Sequence, residues 1–318
     1  MYDLRLKGSP ADIVRAATDR ARARGVPVRV VFNQDHARKS PDPPPPAVDW
    51  DYVKQLGEWR PVPGIPDLMH HKYVIRDAGT PEAAVLTGST NWTTDSWTRE
   101  ENVILTIRSP EVAAAFAQNF DELWQTRDVG ASGHYSLPWM VLPSGDGIRL
   151  RPFFAPGRGQ KLVHEIAHRI SIASRRVRIC SPVITAGPVL GTLADLLQRP
   201  GVDISGVYDR TQMEEVRRQW SDNPAAAWKL RAFETVAAAI PFGAKVSTPY
   251  SRGSVHDFMH AKATVCDDTV FCGSYNLSHS GEDNAENVVE IENAALADLF
   301  TEYIDSISVR YGKAVARL

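Results

Sequence analysis

A chain of 318 residues has room for two ordinary domains, or for one large domain with a duplicated core. Its 43% hydrophobic and 23% charged content is that of a globular protein, and 36 basic against 38 acidic side chains leave a net charge of −2, which excludes any global pull toward nucleic acid or anionic lipid. Three cysteines, Cys180, Cys266 and Cys272, are too few for a disulfide framework and read as small buried hydrophobes, and no run of 18 apolar residues exists to span a membrane.

In chain order, residues 9–24 read as a helix, with Ser9 as cap, Pro10 in the first turn and Gly25 at its end. Val26 to Phe32 is β-rich, with Val28, Val30 and Phe32 on one face. Asn33 to Leu68 reads as a long irregular segment carrying Pro43 to Pro46 and the aromatics Trp50, Tyr52 and Trp59. Strands follow at 72–76, 83–87 and 103–107. A helix capped by Ser109 then places Val112, Phe116, Phe120 and Trp124 on one face. Residues 131–147 are the expected linker between a first half, 1–130, and a second half, 148–318.

The second half alternates strand and helix. Strands are expected at 148–154, 177–183 and 202–208, and helices at 160–174 and 189–198. Residues 209–255 read as irregular apart from a helix near 212–220, and are studded with Trp220, Trp228, Phe233 and Tyr250. The last helix runs from 294 to 311, with Leu296, Leu299, Phe300, Tyr303, Ile304 and Ile307 on its apolar face. Matching the halves sets 11–24 and 26–32 against 189–198 and 202–208, and Tyr2 to Leu6 against 177–183. The first half then lacks its first strand and helix, the counterpart of 148–174. Such a start implies either a chain shortened by several dozen residues, any secretion signal going with them, or a lost element. Met1 to Arg5 has no apolar signal region, and no compartment follows.

One pattern occurs twice, 190 residues apart. The first copy is His70-His71-Lys72, Asp77, Gly88-Ser89-Thr90-Asn91 and Glu101-Asn102. The second is His260-Ala261-Lys262, Asp267, Gly273-Ser274-Tyr275-Asn276 and Glu286-Asn287. Extended backbone puts the His and Lys of H-x-K on one face, and His71, at the x position, on the other. A neutral imidazole is a nucleophile and a base, the lysine is a fixed cation, and Ser and Asn add neutral donors, while glycine permits close backbone approach. Two such motifs supply two imidazoles and two lysines around one anion, which is what phosphodiester cleavage requires: one His attacks phosphorus and the other handles the leaving-group proton. His36, His134, His164, His168 and His279 share no pattern, and no Cys/His cluster suggests a metal.

The duplicated H-x-K-x4-D with G-S-x-N downstream resembles the phospholipase D superfamily, and the likeness covers both halves. It implies an α/β fold of two pseudo-two-fold-related α/β/α halves with one site between them. It also implies a phosphohistidine reaction without metal or other cofactor. On that likeness His70, as nucleophile, and His260, as acid and base, are catalytic. Lys72, Lys262, Asn91 and Asn276 hold the phosphate, Ser89 and Ser274 assist, and Glu101 and Glu286 orient the imidazoles. Asp77 and Asp267, at strand ends, are expected to be structural turn caps. A slightly acidic chain makes nucleic acid the weaker partner. The aromatic pre-motif segments are expected to wall a cleft for a phospholipid, with peripheral membrane contact. Two half-sites in one chain imply a monomer. Transfer to an alcohol as in cardiolipin synthesis, a nuclease activity, and a non-catalytic binding role are the alternatives.

Overall fold

The structure is a computed structural model, and it describes residues 1–35, 48–142, 147–199, 201–251 and 253–312. The first half runs α1 (Ser9–Ala23), β1 (Arg29–Asn33), α2 (Trp50–Leu56), β2 (Glu58–Val62), β3 (Tyr73–Arg76), β4 (Ala84–Gly88), α3 (Thr94–Thr98), β5 (Ile104–Arg108) and α4 (Pro110–Thr126). The second runs β6 (Met140–Val141), β7 (Arg149–Phe154), α5 (Gly159–Ile172), β8 (Arg176–Ser181), α6 (Gly187–Leu196), β9 (Asp203–Asp209), α7 (Arg210–Ser221), α8 (Ala227–Ala239) and β10 (Phe242–Lys245). It continues with β11 (Ala263–Cys266), β12 (Thr269–Gly273), α9 (His279–Asp283), β13 (Asn287–Glu292) and α10 (Ala294–Tyr311). The helices that open on a short polar side chain do so for a physical reason: Ser109, Asp209 and Asn293 each accept an otherwise unpaired amide of the first turn. At α1 that position belongs to Gly8, not Ser9, and no side chain caps it.

Eight strands form the larger sheet in the order β10-β9-β8-β11-β12-β13-β7-β6. Helices α5, α6 and α8 pack their apolar side chains against one face; α10 covers the other. The first half repeats parts of this plan in two smaller sheets, β1-β2 and β3-β4-β5. Its helix α4 lies in the same buried cluster as α10, so Tyr73, Val85 and Phe116 share a core with Val265, Val289 and Ile304. The mixed α/β architecture with a duplicated half is the one expected.

The separation of the two small sheets has a structural reason. In the large sheet β8 lies between β9 and β11. The strand that would stand between β1 and β3 is absent among the described residues, as are counterparts of β7 and α5. The pairing of Tyr2–Leu6 with residues 177–183 needs correction here. Arg5 donates its amide to the carbonyl of Trp92, as Thr185 does to Leu277, and Trp92 and Leu277 each follow the motif asparagine. Tyr2–Leu6 therefore matches the segment just after β8. It makes a single bridge, Arg5 to Thr93, rather than a ladder. Strand β5 is thus an edge, and Leu86 and Ile104 are 37% and 52% exposed on that sheet.

Four further expectations change. Residues 33–68 contain α2 and β2, and the Pro43–Pro46 run lies outside the described residues. Residues 209–255 contain α8 and β10 as well as α7. β2 carries Pro61 on an edge strand, and α8 is rich in alanine with apolar groups on several sides, so neither has a clear period. Within 131–147, Met140–Val141 pairs with β7, Ser132 is fully buried and Gly133 donates its amide to Glu122 of α4, so the described parts of this stretch pack against both halves rather than hanging free between them. Leu299, expected on the apolar face of α10, is 62% exposed. The three cysteines are buried and unpaired. No helix among the described residues is long and apolar enough to cross a membrane.

Candidate active site

Both H-x-K segments sit immediately before a strand, β3 or β11, where the two halves meet. Each is fixed from two directions. The amide before each histidine is held by a side chain at the end of a parallel strand, Asn33 for Met69 at 2.9 Å and Asp209 for Met259 at 3.0 Å. The amide of each histidine donates across to the other half, His70 to Ala285 at 2.9 Å and His260 to Glu101 at 3.0 Å. Neither Asn33 nor Asp209 belongs to the repeated motif; each is the last residue of its strand, the only signal that could have pointed to them. His70 and His260 end 5% and 8% exposed.

The orienting partners come from opposite halves, and they differ. His70 Nδ1 lies 2.7 Å from Glu286 Oε1. His260 Nδ1 lies 3.1 Å from Asn102 Oδ1, with Glu100 Oε2 at 3.4 Å. Because an ionised carboxylate and an amide oxygen only accept, His260 carries its proton on Nδ1, and His70 does so while Glu286 is ionised. Glu101 was expected on an imidazole and is elsewhere: its carboxylate meets Lys245 at 2.5 Å and the Tyr311 hydroxyl. The cause is register. Gly88 pairs with Ile104, sixteen residues on, whereas Gly273 pairs with Val288, fifteen residues on. A slip of one residue turns a side chain to the other face, so Asn102 occupies the place of Glu286 and Glu101 turns away from the histidine toward Lys245 and Tyr311. At both glycines an added Cβ would lie 2.1 Å from a carbonyl oxygen of the neighbouring strand, Val103 or Asn287, so only glycine permits this approach.

Ser89 and Ser274 also differ from expectation. Ser274 donates to Glu286 at 2.5 Å and accepts the Asn287 amide at 3.0 Å. Ser89 donates to Asn102 at 2.6 Å and accepts the Val103 amide at 3.0 Å. Each hydroxyl spends its one proton on the group that orients a histidine, leaving none for a phosphate. Ser96 extends the first-half set, donating to Glu100 at 2.5 Å.

Lys72 and Lys262 are 2% and 3% exposed, and each ammonium donates to the carbonyl of its own motif histidine at 2.8 Å. That uses one of three protons, leaving two for a ligand. Burial lowers both lysines, Lys262 to about 7. His260 is held well below the usual histidine range by burial and by Lys262, Lys72 and His70. Burial raises Glu286 to about 8 against the pull of Lys72, Ser274 and Lys262. Two lysines and two imidazoles thus face the acids Glu286 and Glu100 in a buried space, an arrangement suited to an anion. The amide oxygens of Asn91 and Asn276 are buried without a partner among the described residues; they accept only, so it is the Nδ2 groups of these side chains that can donate to an anion. Tyr2, which no motif marks, stacks edge-on to His70 at 4.3 Å and under the Lys72 ammonium at 4.5 Å.

His71 points into the core, against Tyr73 and Phe154 and 3.2 Å from Asn287, and burial lowers it to about 3. Asp267 caps the turn between α5 and β8, accepting the amides of Ser174, Arg175 and Arg176. Asp77 has no such turn to cap among the described residues and reaches Arg76. The aromatic walls require the largest correction. Trp50 and Tyr52 pack on Phe32 within the first core, Trp59 lies against Trp50 and Phe32, and Trp220 and Phe233 pack with Tyr208. Helix α2 turns Trp50 and Tyr52 inward and α8 does the same with Phe233, whereas Trp228 of α8 is 45% exposed and Trp59 of β2 is 37% exposed. Tyr250, beside His256, remains close enough to Tyr2 to act on it electrostatically.

With the geometry in view, the comparisons are informative. The family described as "Cardiolipin synthase, PLD-like domain" matches residues 1–124 and 166–308. Mitochondrial cardiolipin hydrolase of Chlamydomonas reinhardtii is 31% identical over 101 residues, 32% of this chain and 41% of that protein. The Xenopus tropicalis protein of the same name is 34% identical over 114 residues, 33% of this chain and 46% of that protein. The chain thus spans less than half the length of these curated relatives. Phosphatidylserine synthase of Haemophilus influenzae Rd KW20 superposes with a TM-score of 0.66 over 98% of this chain and 80% of that one, at 14% identity, a likeness of fold.

Proposed function

We propose that this chain, which belongs to the phospholipase D superfamily, cleaves a phospholipid phosphodiester in two steps through a phosphohistidine. The observation that carries the reading is the buried His70–Glu286 contact made across the two halves, beside two buried lysines. With Nδ1 committed to Glu286, Nε2 of His70 is the nitrogen that attacks phosphorus. The N–P bond forms as the P–O bond to the leaving alcohol breaks. The ring becomes cationic, and the adjacent carboxylate stabilises it. His260, once the bound anion favours its imidazolium, gives the Nε2 proton to the departing oxygen, then removes one from the incoming water or alcohol, whose oxygen displaces His70. Lys72, Lys262, Asn91 and Asn276 hold the non-bridging oxygens, where charge develops. Water as acceptor gives hydrolysis and an alcohol gives transfer.

A lipid substrate is supported by the names of the matched relatives, both cardiolipin hydrolases. The test offers cardiolipin and phosphatidylcholine vesicles, single-stranded DNA and bis(p-nitrophenyl) phosphate in EDTA. Lipid cleavage that survives EDTA and falls by about 10³-fold or more in His70→Ala and His260→Ala is the expected result. An acid-labile phosphoryl enzyme should form in His260→Ala and not in His70→Ala. Loss of activity in EDTA would contradict the mechanism, and cleavage of DNA alone would overturn the substrate.

A further inference from the structure

The register slip leaves a question of charge. In the second half the residue bonded to the histidine is a carboxylate, Glu286, and the residue two positions earlier is an amide, Asn284. In the first half the same two places, aligned by the hydrogen bonds of Ser89 and Ser274, hold Asn102 and Glu100. The order E-x-N in one half is N-x-E in the other. The carboxylate and the amide have exchanged seats, and the half-site keeps one of each. The two groups also touch in both halves: Asn102 Nδ2 donates to Glu100 Oε2 at 3.2 Å, and Asn284 bonds to Glu286.

We infer that Glu100 is the charged partner of His260, acting through the Asn102 amide, and so does for the second imidazole what Glu286 does for the first. The inference deepens the phosphodiesterase reading and rests on it for the word catalysis. Its structural basis is independent. The Glu100 side chain is 2% exposed, which is a costly place for a carboxylate without a task. Its Oε2 atom gathers Ser96 Oγ at 2.5 Å, Asn102 Nδ2 at 3.2 Å and the His260 ring at 3.4 Å. Holding Nδ2 at the carboxylate turns Oδ1 toward His260, where it accepts the Nδ1 proton. When His260 becomes an imidazolium, the charge of Glu100 is felt at short range in a buried setting, where such attraction is strong. Glu100 is a positioning residue by this account, because the Nδ1 hydrogen bond goes to Asn102 Oδ1 at 3.1 Å while Glu100 Oε2 lies farther off at 3.4 Å.

The other charged groups that face His260 are Lys262, Lys72, His70 and His256, all of which oppose its protonation. Those acting on Glu100 include Lys262 and Asp3. Glu100 is the acidic group within 4 Å of His260 among the described residues, and the gain it offers the imidazolium is set against all four.

The test is an NMR titration of 15N-histidine protein, with His260 assigned from a His260→Gln variant, in saturating inorganic phosphate to supply the anion. Three proteins are compared: the wild type, Glu100→Gln, and the exchange Glu100→Asn/Asn102→Glu, which copies the second half. Removing a carboxylate near an imidazole lowers its pKa, so Glu100→Gln should shift the His260 midpoint down by about one unit or more. The exchange should bring it back to or above the wild-type value. In turnover, Glu100→Gln should lose about 10- to 100-fold in kcat with KM little changed, and the exchange should recover most of that. A His260 midpoint unmoved by Glu100→Gln overturns the inference, even if activity falls, because Glu100 would then serve packing alone. An exchange variant that is folded by its thermal midpoint yet leaves His260 as in Glu100→Gln overturns it too. Should the exchange not fold, the near-isosteric Glu100→Gln decides by itself. If the wild type cleaves no phosphodiester, the functional reading fails while the titration still decides the role of Glu100.

Discussion

At the scale of residues, the site separates groups that meet a substrate from groups that hold them. Ser89 and Ser274 share a motif with the asparagines, yet their hydroxyls face Asn102 and Glu286. Ser274→Ala should therefore lower kcat by about 10- to 100-fold while KM stays within about twofold, as loss of an orienting hydrogen bond does. A rise in KM at constant kcat, read from steady-state kinetics, would return the serine to phosphate binding. The histidines, lysines and asparagines were legible in the sequence because their chemical types recur at fixed spacing. Glu101 was misread for an equally definite reason. In sequence it aligns with Glu286 without a gap, and only the pairing of Gly88 with Ile104 shows that β5 is displaced by one residue. Tyr2 was invisible, since nothing local links it to a histidine 68 positions away.

At the scale of elements, the two motif aspartates have parted company because their surroundings have. Asp267 adopts a positive φ of 52° and caps the α5–β8 turn with three amides and the Ser174 hydroxyl. Hydrogen bonding to those amides outweighs burial and lowers its carboxyl. Asp77 adopts a φ of 53°, but its side chain reaches Arg76 at the surface. Asp267→Asn should cost about 1–2 kcal/mol of unfolding free energy, and Asp77→Asn less than about 0.5 kcal/mol. Urea denaturation of the two variants measures the difference; equal losses would show that the contacts at Asp267 carry no weight. The sign with pH follows. A carboxyl lowered by folding stabilises above its unfolded pKa, and that contribution disappears as pH falls through the folded value. Helices with a clear apolar stripe, α4, α5 and most of α10, were legible in order and extent. Helices α2 and α8 were not: α2 is short and follows the proline run, and α8 lacks a period. Tyr52 and Phe233 consequently read as lining for a cleft when they are core, whereas Trp228 of α8 stays exposed.

At the scale of the whole molecule, one buried cluster holds side chains from β3, β4 and α4 together with β11, β13 and α10. His71 adds a polar tie, with Asn287 reaching it at 3.2 Å and Thr87 at 2.6 Å across the halves. Halves that share a core cannot melt separately. Thermal unfolding followed by tryptophan fluorescence and by far-UV circular dichroism should give one superimposable transition. Two resolved steps would show that the halves are independent. A duplicated plan was legible from the repeat, while the pseudo-two-fold arrangement was what the family resemblance implied. The split of the first sheet was not, because it depends on which strand is missing between two others.

Each histidine is served by the opposite half, and this has a consequence for how such a duplication can change over time. A substitution in the 284–287 segment is felt at His70, more than two hundred positions upstream, while one at 100–102 is felt at His260. Neither copy of the motif is free to specialise alone, because its own histidine does not depend on its own acid. The Glu and Asn of 100–102, by contrast, lie side by side on one histidine, so an exchange of their order is answered within the same segment.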